Sequence, residues 1–335
     1  MKIYVKNTDS INEILKQTSP GDTLVLEDGI YKEKIEVWIP SITIKALNKH
    51  RAVISNNDYY HKIMPNYNEC NTFNTFSLYI GSDNVTLQDL IIENTATPSE
   101  IYGQAVALHV DGTKFKCENC IIKSAQDTLF TGPMPADLLV RYKGFYEEKR
   151  LKGTPSIQEY YNCKIIGDVD FIFGCATALF ENCEIITLAT NKKHLYICAP
   201  SHPKELKYGY LFYNCTLKTN GSSSTFLGRP WRDYGCAAFI KCNMEEANIL
   251  PEGFNKWDNT NRDKTARFYE YTENINLENR EKWINLLTKN EAKAYIDEYK
   301  KYISKITIRT FNVRFLRSPI RACTTRRPSR VIKSG

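Results

Sequence analysis

The sequence predicts an all-β protein built as a parallel β-helix, a solenoid of short stacked strands with short helices near its ends. Five segments, each with a Cys in a short strand-like run, recur along the chain: KCENCIIKSA, YYNCKIIGD, FENCEIITL, FYNCTLKTN and FIKCNMEEA. Their cysteines, 43, 20, 32 and 27 residues apart, are Cys120, Cys163, Cys183, Cys215 and Cys242. Strand-rich runs at such irregular spacings favour stacked coils joined by loops of variable length.

The recurring cysteines predict a buried ladder of thiols rather than disulfides. Stacked coils repeat at about 4.8 Å, so equivalent residues of neighbouring coils lie above one another. Cysteine is small and among the residue types most often buried. A β-sandwich is the structural alternative, but it predicts tight hairpin turns such as Asn-Gly. That dipeptide occurs once, at Asn220–Gly221.

Helical patterns occur in two places. SINEILKQ near the start predicts a short helix that covers one end of the solenoid. NREKWINLLTKNEAKAYIDEYKKYISK predicts one or two amphipathic helices within 279–304, with Asn290 as a candidate N-cap. We therefore expect one domain over 1–305 that includes these helices, followed by a basic extension over 306–335 that is flexible or non-native.

The net charge of +7 is concentrated at the end of the chain. From Lys300 onward there are eleven Lys or Arg and no Asp or Glu, which leaves −4 for residues 1–299. A mildly acidic body argues against a nucleic-acid-binding protein, so no nucleic-acid partner is expected. The hydrophobic content of 42% is normal for a globular protein, and the absence of a long apolar run predicts no membrane span.

Three polar residues recur in phase with the predicted coils. Gln104 precedes Asp127 by 23 residues, and Asp127 precedes Asp170 by 43. The stretch 132–156 is rich in Pro, Gly and charged residues and predicts a surface loop. Without this loop, the 43 residues between Asp127 and Asp170 correspond to about one coil. Two carboxylates on neighbouring coils cannot both ionise easily, so their pKa values separate. Arg229 in FLGRPWRDYG is a candidate bidentate partner for one of them. Two unrelated Asp side chains on a solvated face are the alternative.

Four motifs carry a family resemblance. GQAVAL, QDTL, DFIFG and LGRPW occur in this order, and the similarity extends from about Gly21 to Ser304. The sequence resembles the pectin methylesterases, and this resemblance implies that the parallel β-helix is right-handed. It also implies a carboxylic ester hydrolase that removes C6 methyl esters from galacturonate units of pectin and releases methanol. No cofactor and no metal are expected.

The resemblance also assigns roles to individual residues. It makes Asp170 the nucleophile that attacks the ester carbonyl and Asp127 the general acid and base. It implies that Gln126 and Gln104 stabilise the oxyanion, and that Arg229 orients Asp170 and keeps it ionised. These residue types suit the chemistry, because a carboxylate nucleophile divides hydrolysis into acylation and deacylation.

Five aromatic residues are expected to bind substrate. The resemblance places Trp231, Phe173 and Phe130 along the groove, and Trp257 and Phe76 are further candidates. HLYICAPSH at 194–202 departs from the family pattern and is expected to alter one groove wall.

The apolar strand around Asp170 raises a question of side-chain direction. Strict alternation places Asp168, Asp170 and Ile172 on one face, and Phe171 and Phe173 on the other. A substrate contact by Phe173 then requires a break in the alternation, which we expect between Ile172 and the following glycine. Asp168 has no partner in this arrangement and is assigned no catalytic role.

The expected partner is pectin or methylated oligogalacturonides, bound by a monomer. A catalytically silent sugar-binding β-helix, and a β-helical pectate lyase or polygalacturonase, are the alternatives. No GxSxG motif supports a serine hydrolase. The absence of a signal sequence and the many predicted free thiols slightly favour the cytoplasm; secretion with the signal removed is the alternative.

Overall fold

A computed structural model describes residues 1–65, 68–142 and 156–315. In these residues, 26 strands form three sheets in which the named strands pair only in parallel. Apart from the first two and the last two strands, successive strands go to different sheets, and strands of neighbouring coils pair within each sheet. The predicted all-β parallel β-helix is therefore confirmed.

The three sheets are called A, B and C. Sheet A contains β1 (Lys2–Val5), β2 (Thr23–Leu26), β5 (Thr43–Ala46), β8 (Thr86–Gln88), β11 (Phe115–Glu118), β14 (Ile157–Tyr161), β17 (Thr177–Glu181), β20 (Tyr210–Tyr213), β23 (Cys236–Ile240), β25 (Arg267–Tyr271) and β26 (Asn285–Leu286). Sheet B contains β3 (Gly29–Tyr31), β6 (Ala52–Asn56), β9 (Ile91–Asn94), β12 (Ile121–Lys123), β15 (Lys164–Gly167), β18 (Glu184–Thr187), β21 (Thr216–Thr219) and β24 (Asn243–Glu246). Sheet C contains β4 (Ile35–Val37), β7 (Leu78–Ile80), β10 (Leu108–Val110), β13 (Leu129–Thr131), β16 (Val169–Gly174), β19 (His194–Pro200) and β22 (Ser224–Gly228).

The Asn-Cys pairs of the sequence form the bend between sheets A and B. The asparagines adopt the left-handed conformation, which Asn tolerates better than most residues because its short polar side chain bonds locally. They are Asn119 (φ 54°), Asn162 (φ 53°), Asn182 (φ 56°) and Asn214 (φ 54°). A single left-handed residue turns the chain sharply, so the next side chain points into the solenoid.

That next side chain is the recurring cysteine. All five predicted ladder cysteines are buried and free. Four of them donate an S–H to a backbone carbonyl of the preceding coil: Cys163 to Cys117 at 3.3 Å, Cys183 to Tyr160 at 3.4 Å, Cys215 to Phe180 at 3.3 Å and Cys242 to Phe212 at 3.4 Å. The predicted thiol ladder is confirmed, and each rung adds a weak hydrogen bond to the packing.

A ladder of aromatic rings runs beside the thiols. The rings of Tyr160, Phe180, Phe212 and Phe239 stack one per coil, with centroid separations of 4.7, 4.7 and 4.3 Å and interplanar angles of 10–13°. These separations are close to the spacing of adjacent parallel strands. The stack therefore links four successive coils along sheet A.

The part of the chain that the structure describes contains four α-helices outside the sheets: α1 (Ile11–Leu15), α2 (Ser99–Tyr102), α3 (Ala136–Arg141) and α4 (Lys289–Phe315). It also contains 3-10 turns at Thr72–Asn74 and Arg262–Lys264. The predicted N-terminal helix is α1, whose N-cap Ser10 accepts from the Glu13 amide. The short α2 and α3 were not predicted, because four and six residues are too few to show a helical pattern.

The C-terminal helix differs from the prediction in its start and length. It begins at Lys289 rather than at residue 279, because Asn285–Leu286 pairs with sheet A instead. Thr288, not Asn290, is the N-cap: its Oγ1 accepts from the Glu291 amide while Glu291 accepts from the Thr288 amide. The helix packs Tyr299 against sheet A and is described as far as Phe315, so the predicted boundary at 305 lies within it. Residues 316–335 of the predicted extension lie outside the described residues.

A buried ion pair stabilises the last coils. Glu270 is 0% exposed and Arg280 is 8% exposed, and two hydrogen bonds of 2.8 and 2.9 Å join them. Removal of one partner leaves an uncompensated buried charge, which typically costs about 3–5 kcal/mol.

Replacement of Glu270 by Gln is therefore expected to lower the free energy of unfolding by about 3 kcal/mol, measured by urea denaturation. The matched control is Asp297→Asn, which breaks the exposed Asp297–Lys293 pair and is expected to change stability little. Equal effects of the two substitutions would contradict the assignment of Glu270.

Candidate active site

An open cavity of about 460 Å³ lies on the outer face of sheet C. Its walls include all five residues predicted to be catalytic: Gln104, Gln126, Asp127, Asp170 and Arg229. Segments distant in sequence meet here because each coil of the solenoid contributes one strand or strand end to the same face.

Asp127 and Asp170 lie on neighbouring coils at the predicted phase. Strand β13 pairs with β16 with Phe130 opposite Phe173, an offset of 43 residues that also places the two Asp opposite each other. The Asp127 amide donates to the Val169 carbonyl at 3.1 Å. Both Asp have left-handed backbones, with φ of 64° and 49°. Strained backbones of this kind are common at functional sites, and here both lie at the cavity.

The strand around Asp170 breaks the alternation of side chains, but not where the sequence predicted. A bulge lies between Val169 and Ile172, and the left-handed residue within it is Asp170 itself. As a result, Phe171 and Ile172 are adjacent yet both fully buried in the core. The predicted outward position of Ile172 is therefore wrong, while Phe173 reaches the cavity. The bulge allows a carboxylate to leave an otherwise buried strand.

Arg229 holds Asp170 with two hydrogen bonds. Its Nε donates to Asp170 Oδ1 at 2.9 Å and its Nη2 to Oδ2 at 2.7 Å. The guanidinium lies between two rings, 3.8 Å from the centroid of Tyr196 and 4.1 Å from that of Trp257. Such stacking fixes the plane of the guanidinium and so the plane of the carboxylate. Tyr196 belongs to the segment 194–202, where a departure from the family pattern was noted.

The two carboxyl groups have different electrostatic surroundings. Asp127 and Asp170 are 8% and 7% exposed. Burial first, and then the negative charge of Asp170, raise the pKa of Asp127 well above its usual value, and Arg229 offsets only part of this. Asp127 therefore holds a proton to a higher pH than a free Asp does. The site combines a proton donor, Asp127, with a second carboxyl group that an arginine holds by two hydrogen bonds, and such a pair suits nucleophilic ester cleavage.

The two glutamines lie side by side at the edge of the cavity. Gln104 and Gln126 form a parallel bridge between neighbouring coils, and the Ala105 amide donates to the Gln126 carbonyl at 3.0 Å. The Gln126 side chain also contacts Lys192, whose Nζ lies 3.1 Å from Gln126 Oε1. Both glutamines line the same cavity as the two carboxyl groups.

Three of the five predicted aromatic residues line the cavity: Phe173, Trp231 and Trp257. The other two, Phe130 and Phe76, do not reach it; they are 0% and 1% exposed and present no ring face to a ligand. Phe130 instead packs beneath Phe173, with the ring centroids 4.9 Å apart. Alternation along short strands cannot distinguish a groove-lining ring from one that supports it.

Other cavity residues belong to loops and were not predicted from the sequence. Phe73, in the 3-10 turn at 72–74, lies against Trp231 with centroids 6.4 Å apart and planes 25° apart. Arg141 and Tyr142 reach the cavity from the predicted surface loop at 132–156, of which residues 143–155 lie outside the described residues. The spacing of the coils does not predict which residues of such loops reach the cavity.

Comparison with known proteins now decides the family. The Pectinesterase family profile matches residues 4–305. The chain belongs to the pectinesterase family. It is 26% identical over 304 residues to the probable pectinesterase/pectinesterase inhibitor 23 of Arabidopsis thaliana. The aligned region covers 86% of this chain and 48% of that protein. It is 28% identical over 278 residues to pectinesterase 31 of the same plant, covering 80% of this chain and 78% of that protein. The chain thus spans about half of the first relative.

Solved structures of pectinesterases show the same fold. The pectin methylesterase from carrot superposes with a TM-score of 0.71 at 20% identity, covering 87% of this chain and 89% of that one. A pectin methylesterase in complex with a hexasaccharide has a TM-score of 0.67 at 22% identity, covering 86% and 91%. Among the described residues, no helix is both long and apolar enough to cross a membrane.

The stacking of Tyr196 on Arg229 leads to a testable prediction. Tyr196→Leu removes one ring face and is expected to lower kcat/KM about tenfold, since a partly desolvated cation–π contact contributes about 1–2 kcal/mol. Tyr196→Phe keeps the ring and is expected to retain most of the activity. Methanol release from esterified pectin measures both; equal losses in the two variants would show that the ring face is not what matters.

Proposed function

We propose that this pectinesterase-family chain hydrolyses the C6 methyl esters of galacturonate units in pectin and releases methanol. The observation that carries the proposal is the pair of buried carboxyl groups in one open cavity, with Asp170 held by Arg229 and Asp127 favoured in its protonated form. Family membership supports the same activity.

In the acylation step, a carboxylate oxygen of Asp170 attacks the C6 carbonyl carbon. The bond between C6 and the methoxy oxygen breaks, and the leaving methoxide takes the proton of Asp127 to become methanol. Side-chain N–H groups of Gln104 and Gln126 stabilise the negative charge that develops on the carbonyl oxygen. The two hydrogen bonds from Arg229 hold the Asp170 carboxylate in place and fix the direction of attack.

In the deacylation step, Asp127 acts as the base. A water molecule transfers a proton to Asp127 and attacks C6 of the anhydride. The bond between C6 and Asp170 breaks, and the Asp170 carboxylate returns to Arg229. The product is the galacturonic acid, which ionises in solution. Asp127 is again protonated, and the raised pKa suits it to both steps.

The walls of the cavity suit a sugar chain. Trp231 and Trp257 are partly exposed and line the open groove, where sugar rings can pack against them, while the buried Phe73 supports Trp231. We propose that the chain binds methylated pectin or its oligosaccharides as a monomer. The cytoplasmic location that the sequence slightly favoured has no support from the relatives; secretion, the alternative, fits a polymeric substrate better.

Product analysis on esterified pectin tests the proposal. Three products are measured in parallel: methanol, unsaturated uronide and new reducing ends. Methanol alone is expected. Unsaturated product would indicate a lyase, new reducing ends a glycosidase, and binding without any product a silent sugar-binding protein.

A further inference from the structure

A polar network lies beside the two carboxylates. Asp168, for which the sequence predicted no partner, is 0% exposed and accepts hydrogen bonds from two groups. Its Oδ2 accepts a hydrogen bond from Ser99 Oγ, and its Oδ1 accepts from the Val169 amide at 2.6 Å. Ser99 is the first residue of α2 and is itself buried. Burial of a carboxyl group is costly unless hydrogen bonds compensate it, and these two contacts supply that compensation.

Lys192 connects this network to Gln126. Its Nζ donates to Ser99 Oγ at 2.7 Å and to Gln126 Oε1 at 3.1 Å. The ammonium group has only hydrogens to donate, so the Gln126 atom that faces it must be the carbonyl oxygen of the amide. The contact with Lys192 therefore fixes which end of the Gln126 amide is the oxygen, although oxygen and nitrogen have nearly the same size.

The orientation of Gln126 matters because its amide has two unlike ends. With Oε1 held by Lys192, the NH₂ group is directed away from the lysine and is free to donate to a ligand in the cavity. The reverse orientation would present an oxygen lone pair to an oxyanion, which is repulsive. The positive charge on the carbonyl side also polarises the amide and strengthens its N–H groups as donors.

We propose that Lys192, anchored by Ser99 and Asp168, is a positioning residue that holds the Gln126 amide with its NH₂ group toward the reacting carbonyl. This inference rests on the proposed function. It also explains the buried Asp168, which acts through Ser99 to fix the ammonium group of Lys192, and Lys192 in turn fixes Gln126. Asp168 and Lys192 act through Gln126 and do not themselves touch the substrate.

The test substitutes Lys192 by Met, which keeps the length of the side chain and removes its charge. Loss of one oxyanion donor in other enzymes lowers kcat about 10²–10³-fold, so a misoriented donor is expected to lower kcat about 10–100-fold, with KM changed less than about twofold. Lys192→Arg, which retains a cationic donor, is expected to recover part of the loss. The matched control is Lys193→Met, on the exposed neighbouring residue, which is expected to leave methanol release unchanged.

A double-mutant cycle separates positioning from a general structural effect. In a Gln126→Ala background, Lys192→Met is expected to cause no further loss, because the residue through which it acts is gone. Circular dichroism and thermal unfolding check that each variant is folded. A folded Lys192→Met variant with unchanged kcat, or an equal loss in both backgrounds, would overturn the inference. If the wild-type chain itself releases no methanol, the proposed function fails, and the inference fails with it.

Discussion

Substitution of Asp170 by Ala is expected to abolish methanol release from esterified pectin, with a fall in kcat of at least about 10⁴-fold. Loss of a nucleophile removes the covalent pathway altogether, and in a well-studied serine protease it lowers kcat by about 10⁶-fold. The bidentate contact with Arg229 and the position of Asp170 in the cavity are the observations behind the expectation.

Two further variants test whether the loss of activity comes only from a loss of folding. Asp170→Asn keeps the volume of the side chain and an oxygen that can accept from Arg229, and it is expected to be equally inactive while remaining folded at the assay temperature. Asp297→Ala, on the exposed surface of α4, is expected to be fully active. Retention of a tenth or more of the wild-type kcat by folded Asp170→Ala would exclude Asp170 as the nucleophile.

Substitution of Asp127 by Asn is expected to have two opposite effects, on activity and on stability. Activity falls, because Asn can neither protonate the leaving methoxide nor accept a proton from water; removal of a general acid and base typically lowers the rate about 10²–10⁴-fold. Stability at neutral pH rises, because the variant no longer buries a carboxyl group beside Asp170.

The direction of the stability effect follows from the raised pKa. In the unfolded chain, Asp127 loses its proton near the ordinary value of 3.8, whereas in the folded chain it keeps the proton to a higher pH. The folded state thus binds more protons above pH 4, and the free energy of unfolding decreases as pH rises toward the folded pKa. This decrease is expected to be absent in Asp127→Asn.

Urea unfolding at a series of pH values measures the effect. The stability difference between Asp127→Asn and the wild type is expected to grow in favour of the variant above about pH 4, and to level off once Asp127 ionises in the folded state. A wild type that is the more stable protein throughout this range would contradict the assignment of Asp127 as the group with the raised pKa.

The fold could be predicted because equivalent positions of successive coils carry the same types of residue. The Asn-Cys pair recurs because four successive bends between sheets A and B each place one left-handed residue before one small buried residue. The terminal helix was harder to place. The apolar pattern of 279–288 fits a helix, but the strand pairing of Asn285–Leu286 and the cap at Thr288 decide where the helix begins.

The central residues of the site could be predicted because they lie at equivalent positions of neighbouring coils, in strands or at strand ends. The offset of 43 residues between Asp127 and Asp170 equals the strand register between their coils. The inward direction of the Ile172 side chain could not be predicted. The alternation of side chains breaks at Asp170, because Asp170 has a left-handed backbone, and not after Ile172 as expected. Residues such as Lys192 and Tyr196 contribute through three-dimensional contacts that no spacing in the sequence encodes.

Exchange of methanol into unreacted ester tests the covalent mechanism most directly. If Asp170 forms an anhydride, methanol leaves before water enters, so added methanol can attack the anhydride and regenerate the ester. With deuterated methanol present early in the reaction, mass spectrometry of the remaining ester is expected to show trideuteromethyl groups with the wild-type chain and none with Asp170→Ala. Hydrolysis at the normal rate with no such exchange, even in molar methanol, would contradict a covalent intermediate on Asp170.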